Sequence, residues 1–155
     1  MLMPIRYVIG DPLLTDLQTL AFGHNARART ELGTIETRLL QRYPAPFAAY
    51  QKSGRADRIK AGSIWTWRES RPQLLFMVVR DSSVGATRLR YVQNILLKIA
   101  RDYRLENIQS LAITRMGNDF EWREIKTLID LWLRRCPIPI AVYETYQPGI
   151  KADES

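Results

Sequence analysis

The sequence predicts an α/β fold in which a largely parallel sheet lies between helices. Three observations lead there. The second half of the chain alternates strand, helix, strand, helix, strand, an order that suits parallel strands joined by crossover helices. Its two long helical segments carry apolar residues at spacings of three and four. Its strands are β-rich apolar runs closed by turn residues. In such sheets ligands bind outside the carboxyl ends of the strands, so chemistry is expected in the loops that follow them.

Taken in order, IRYVI (residues 5–9) predicts a first strand, stopped by the turn cluster Gly10-Asp11-Pro12. LQTLAF (17–22) predicts a buried second strand. Ile35, Leu39 and Leu40 fall at helical spacing in a segment from Thr34 to Tyr43, which Pro44 ends. PFAAYQKS (46–53) adds one or two helical turns, closed by Gly54. SIWTW (63–67) and QLLFMVV (73–79) are strands able to pair as a hairpin. DSSVGAT (81–87) is a loop with Thr87 as N-cap, and the helix after it sets Leu89, Val92, Leu96, Ile99 and Tyr103 on one face. NIQSLAIT (107–114) is a strand and RMGND (115–119) a loop. A helix over 120–135 follows, with Ile125, Leu128, Ile129 and Trp132 inward, and PIAVYET (139–145) is the last strand. Residues 1–146 are read as one domain and 147–155 as a flexible, frayed tail.

Composition narrows the class. A chain of 155 residues is long enough to bury a real core. No run reaches the ~18 apolar residues of a membrane span, and MLMPIRYVIGD lacks the features of a secretory leader. The single cysteine, Cys136, excludes an internal disulfide. With one histidine, a Cys/His zinc site is excluded as well. A cytoplasmic protein without metal or cofactor is the expectation. The formal charge of +7 favours anionic partners: nucleotides, nucleic acid or acidic proteins. The arginines are spread along the chain, and no lysine-rich run or RNP signature narrows that choice. Walker A, Gly-x-Ser-x-Gly and Gly-x-Gly-x-x-Gly patterns are absent. The oligomeric state is not legible in the sequence.

Three loops follow strand ends, at 23–33, 80–86 and 114–119, with Asp11 as a fourth contributor to any shared cleft. The first crowds His24, Asn25, Arg27, Arg29, Thr30 and Glu31 between Gly23 and Gly33. It is either a solvated strand-to-helix turn or a set of groups facing a ligand.

The order of these segments resembles the macro domain, the ADP-ribose-binding α/β/α module. YVIGD is similar to that family's opening strand and Gly-Asp, and LAFGHNARARTELGTIETRLLQRYP to its strand, asparagine, loop and helix ending in an aromatic-Pro pair. AGSIWTW, ATRLRYVQNILLKIARDYRLENIQSLAITRMG and FEWREIKTLIDLWLRRCPIPIAVYE resemble the segments that follow, so the likeness runs from about Ile5 to Tyr146. No single segment is specific; the order and spacing are. Among subfamilies it looks closest to the terminal ADP-ribose protein glycohydrolases and bacterial DNA-ADP-ribose hydrolases. The resemblance implies a three-layer α/β/α sandwich with a mixed, largely parallel sheet, binding ADP-ribose or a related nucleotide.

It also implies roles. Asp11 stands where the family's aspartate accepts a hydrogen bond from the adenine amino group, and Asn25 where an asparagine orients the distal ribose. Gly33, beside a helix N-terminus, and Gly117 with Asn118 in the second phosphate loop are the remaining ligand-binding positions. The departures are large. ARARTELG puts Arg27, Arg29 and Glu31 where small residues let backbone N–H groups approach a pyrophosphate. The two arginines either replace those contacts as phosphate ligands or face solvent in a ligand-free loop. RMGNDFEW is shorter than the family's second loop by about three residues, with Gly117 its one glycine. The family's lysine nucleophile is missing, since VVRDSSVG has Arg80 and Asp81, and arginine stays protonated. Asp119 lies near the place of the assisting aspartate or caps the next helix. His24 is the candidate general base for a weak, water-based hydrolysis. The competing reading is a degenerate macro fold that has lost ADP-ribose and binds nucleic acid or a protein through its basic surface.

Overall fold

The computed structural model of the chain describes residues 5–29 and 33–155. Thr30 and Glu31 of the polar loop lie outside the described residues. Strand β1 (Ile5–Gly10) leads through a 3-10 turn (Pro12–Leu14) to β2 (Thr19–Asn25), α1 (Thr34–Arg42), α2 (Pro44–Arg55) and β3 (Ile64–Trp67). Then come β4 (Gln73–Arg80), α3 (Leu89–Asp102), β5 (Leu111–Thr114), α4 (Asp119–Leu133) and β6 (Ile140–Tyr146).

The six strands form one sheet in the order β1-β6-β5-β2-β4-β3. All neighbours are parallel except β3, which turns back antiparallel on β4 as the hairpin reading expected. Helices cover both faces. Ala21, Leu75, Met77 and Val79 pack against Val92, Ile95, Ile99, Ile125 and Ile129 of α3 and α4. The alternate residues Leu20, Phe22, Leu74, Phe76 and Val78 pack against Leu39 of α1 and Phe47 and Tyr50 of α2. This double cover explains why LLFMVV (74–79) is an unbroken apolar run, since both faces of β4 are buried. At the sheet edge, β1 buries Val8 and exposes Tyr7 and Ile9.

Several boundaries differ from the sequence reading. β2 begins at Thr19 and runs on to Asn25, so Gly23, His24 and Asn25 are strand residues rather than loop residues. The run continues because it pairs with β4 along its whole length. The fifth strand shrinks to four residues, since Asn107 takes a positive φ and residues 107–110 turn. Thr87 is not the cap of α3; Arg88 holds that position with extended backbone and no side-chain cap bond. Leu89, expected inward, is 37% exposed. Gly54 lies inside α2.

The tail is packed. Gln147 N donates to Gly10 O and Asp11 N to Ile150 O. Glu154 accepts from Tyr143 Oη at 2.6 Å and from Asp16 N at 3.0 Å. Ala152 sits on Gly10, where an added Cβ would come within 2.8 Å of it. The fraying expected from position in the chain fails because these residues make backbone and carboxylate contacts that position alone does not reveal. Among the described residues no helix is long and apolar enough to cross a membrane.

Candidate functional site

Five parallel strands end at one edge of the sheet, and residues at or after the ends of β2, β4 and β5 line a cleft of about 230 Å³ there. Gly23 of β2 forms part of its lining. Arg80 closes β4, and Arg115 follows β5. Gly85 to Thr87 form one wall; Met116, Gly117 and Asn118 form another. The amino ends of α1 and α4 contribute Glu36 and Glu121. A larger cavity of about 800 Å³ lies at the opposite edge, among Gln18, Arg68, Arg71, Gln73 and Asn107. Its glutamine side chains are engaged by neighbours: Gln18 Nε2 donates to Asn107 O at 2.8 Å and Gln73 Nε2 to Thr19 Oγ1 at 2.9 Å. The smaller cleft holds the charged groups that converge at strand ends.

At the α4 end, Gly117 has φ +77°, a conformation that favours glycine, and turns the chain into the helix. Asn118, not Asp119, is the N-cap. Its side chain accepts from Glu121 N at 2.8 Å, while Glu121 Oε1 accepts from Asn118 N at 2.8 Å, a complete capping box. Asp119 is 94% exposed and ion-paired with Arg115, whose guanidinium also lies 5.8 Å from the Trp122 ring. At the α1 end Gly33 is the N-cap, as placed from sequence, with no side-chain cap bond. The Glu36 carboxylate folds back over it. Each helix N-terminus that a phosphate would approach therefore carries a carboxylate from its own first turn.

The polar stretch of β2 behaves differently from the reading that put it in front of a ligand. His24 is 3% exposed and packs, tilted, among the rings of Phe47, Tyr50 and Phe76, with centroids 4.7 to 5.9 Å away. Its Nδ1 accepts from Asn25 N at 2.8 Å. Burial, and then the charge of Arg80, lower its pKa to about 4, so the ring is neutral near pH 7. The ring is enclosed by aromatic side chains and is not among the residues that line the cleft. Asn25 is fully buried, and its amide closes the following loop: Nδ2 donates to Arg29 O at 2.8 Å and Oδ1 accepts from Arg29 N at 3.3 Å. The loop so held puts Ala28 at φ 58° against α2 and leaves Arg27 and Arg29 exposed.

Asp11 is also fully buried. Its Oδ1 accepts from Leu13 N at 3.0 Å, and its Oδ2 from Arg38 Nη1 at 2.7 Å and Gly149 N at 2.8 Å. Arg38 Nη1 bonds the Tyr146 hydroxyl at 2.6 Å as well. The Tyr146 bond first, and then Asp11, hold the guanidinium in its charged form. Asp11, Arg38 and Tyr146 thus sit at the β1 and β6 end of the same edge.

Arg38, Glu36 and Glu121 were not singled out from sequence. The spacing Asn118-x-x-Glu121 is a readable capping-box signature. Nothing local marks Arg38, because its partners lie 27 and 108 residues away. Among the described residues no group of three or more His, Cys, Asp or Glu side chains could hold a metal ion.

No family model and no curated protein matches the chain by sequence. Solved structures match by shape. The macrodomain of Mycobacterium tuberculosis DarG superposes with a TM-score of 0.81 at 20% identity, covering 95% of this chain and 99% of that one. The macrodomain of Thermus aquaticus DarG gives 0.80 at 20% identity over 90% and 97%. The chain has the macrodomain fold. Thermosipho africanus DarTG, solved in complex with ADP-ribose, superposes at 0.83 with 19% identity, covering 97% of this chain and 44% of the longer protein. The macrodomain likeness therefore extends over nearly all of the chain, as the order of its segments led one to expect.

Proposed function

We propose that this macrodomain-fold protein binds ADP-ribose or a related nucleotide in the cleft at the carboxyl edge of the sheet. The observation that carries this reading is the convergence there of Arg80 and Arg115. Guanidinium groups pair with phosphate oxygens through paired donors. They supply from side chains what the altered loops lack in backbone glycines. At about 230 Å³ the cleft is smaller than the ~300–1,000 Å³ typical of a site for a drug-sized ligand, so the ligand extends beyond it along the edge. That Thermosipho africanus DarTG was solved with ADP-ribose supports the ligand class. Hydrolysis, if the chain performs it, uses neither a lysine nucleophile nor His24; the carboxylates placed at the cleft are Glu36 and Glu121.

Calorimetric titration with ADP-ribose at moderate salt tests the proposal. One-to-one binding in the micromolar range is the expected result. Arg80→Ala and Arg115→Ala should each weaken it by roughly tenfold or more, the loss of a charge-assisted bond. Absence of heat and of competition at millimolar ligand would sink the nucleotide reading. A second reading draws on the +7 charge and the exposed Arg27 and Arg29: a polyanion partner bound on the surface. Affinity for a polynucleotide that falls steeply with salt would favour it.

A further inference from the structure

The positive charge of the chain is unevenly held. On α3, α4 and their flanks, Arg88, Lys98, Arg101, Arg115 and Lys126 are ion-paired with carboxylates. On the opposite layer Arg27, Arg29, Lys52, Arg55, Arg58 and Lys60 are all exposed, and none forms an ion pair among the described residues. The fold gathers these six. Gly54, inside α2, takes the loop after β2 so closely that a Cβ there would lie 2.6 Å from the Ala28 Cβ, which sets Arg27 and Arg29 beside the end of α2. Arg58 N donates to Ser53 O at 3.0 Å, folding the chain back on the last turn of that helix. Ile59 is buried in the core, and Gly62 N donates to Val78 O at 2.7 Å, so Lys60 is held near the end of β4. Asp57 is the one carboxylate within 52–60. The helix dipole accounts for Lys52 and Arg55 in the last turn, but not for the four cations outside the helix.

The surroundings narrow the class of anion. Among the described residues of 26–62, no large hydrophobic side chain is exposed. A protein interface centres on apolar or aromatic anchors, and a membrane-bound helix buries an apolar face. A single nucleic-acid strand is held by stacking its bases on aromatic rings. The patch offers only guanidinium and ammonium donors, which suit phosphates whose bases are turned away. A duplex meets that description, with its bases stacked inside and one negative charge per ~1.7 Å of axis. We propose that this surface, the end of α2 with the loops on either side, docks the phosphate backbone of a nucleic-acid duplex without regard to base sequence. The inference rests on the polyanion reading above and gives it a surface and a partner. It needs no nucleotide in the cleft.

Fluorescence anisotropy of the full chain with a short labelled DNA duplex, across ~50–200 mM salt, tests it. Binding should weaken steeply with salt and be indifferent to base order. The triple variant Lys52→Gln, Arg55→Gln, Arg58→Gln should bind roughly tenfold weaker or more, with a log–log salt slope shallower by about 2–3. Arg27→Gln with Arg58→Gln, both outside the helix, should show the same loss in smaller measure, and keeps the question open to decision where the triple variant is destabilised. The matched variant Arg123→Gln, Arg134→Gln, Arg135→Gln removes the same charge from the α4 side and should bind close to wild type. Equal loss in the patch and matched variants, or no loss in either, overturns the inference while the polyanion reading stands. So does tighter binding of the matching single strand, or displacement of the duplex by poly-glutamate at equal charge. No binding of either nucleic acid at the lowest salt overturns the polyanion reading and this inference with it.

Discussion

His24 shows how a residue's neighbours decide its chemistry. A histidine next to an asparagine at a strand end has the composition of an active site, yet this one is part of an aromatic cluster with Phe47, Tyr50 and Phe76. Its folded pKa of about 4 lies below the ordinary value near 6.5, so the unfolded chain binds the proton more readily. The sign follows: the stability from burying a neutral ring is complete above pH 6.5 and is lost as pH falls toward 4. Replacing His24 by Phe should remove this term, which is on the order of 3 kcal/mol over that interval. Denaturant melts of both proteins at pH 7.5, 6, 5 and 4 check it. The stability difference should move in favour of His24→Phe on acidification, and a constant difference would refute the buried-neutral account. Asn25 carries a similar lesson at the same scale, since its amide is used up in closing the loop to Arg29.

The α4 amino end is where element-level forces meet the site. Asn118 and Glu121 satisfy each other's backbone donors, so the helix is capped without a ligand. Glu121→Gln keeps that reciprocal geometry and removes a negative charge, whereas Glu121→Ala removes both. Thermal melts should show Glu121→Ala destabilised by about 0.5–2 kcal/mol, with Glu121→Gln close to wild type. Titration with ADP-ribose should show the reverse benefit. Glu121→Gln binds more tightly, by about fivefold, if one unit charge about 4 Å from a phosphate is relieved in a watery cleft. Unchanged affinity in the Gln variant would mean that the phosphates lie elsewhere. The element itself was legible, because apolar spacing located α4. Its cap was missed by one residue, because Asn118 and Asp119 are both good N-caps and only backbone geometry separates them.

For the whole molecule, the tail is the feature that position in the chain mispredicts most. Residues 147–155 close over the β1 end, with Glu154 joining Thr15, Asp16 and Tyr143 and with Gly149 on Asp11. Removing residues 148–155 should lower the melting temperature. It should also expose the amide proton of Asp11 to rapid exchange, since its bond to Ile150 O is lost. Protection unchanged by the truncation would show the tail to be idle. The sequence by itself determined the layer architecture, because apolar period and run length record which faces are buried. It also placed the strand-end loops, because turn residues record where the chain must reverse. It did not determine which polar groups face the cleft. The resemblance made Asp11 and Asn25 ligand groups and His24 was read as a candidate base, and all three are turned inward to partners. Only the tertiary structure decided that, because a side chain's exposure depends on what distant segments bring against it: Arg38, Gly149 and α2 here, each at least 19 residues from the group it covers.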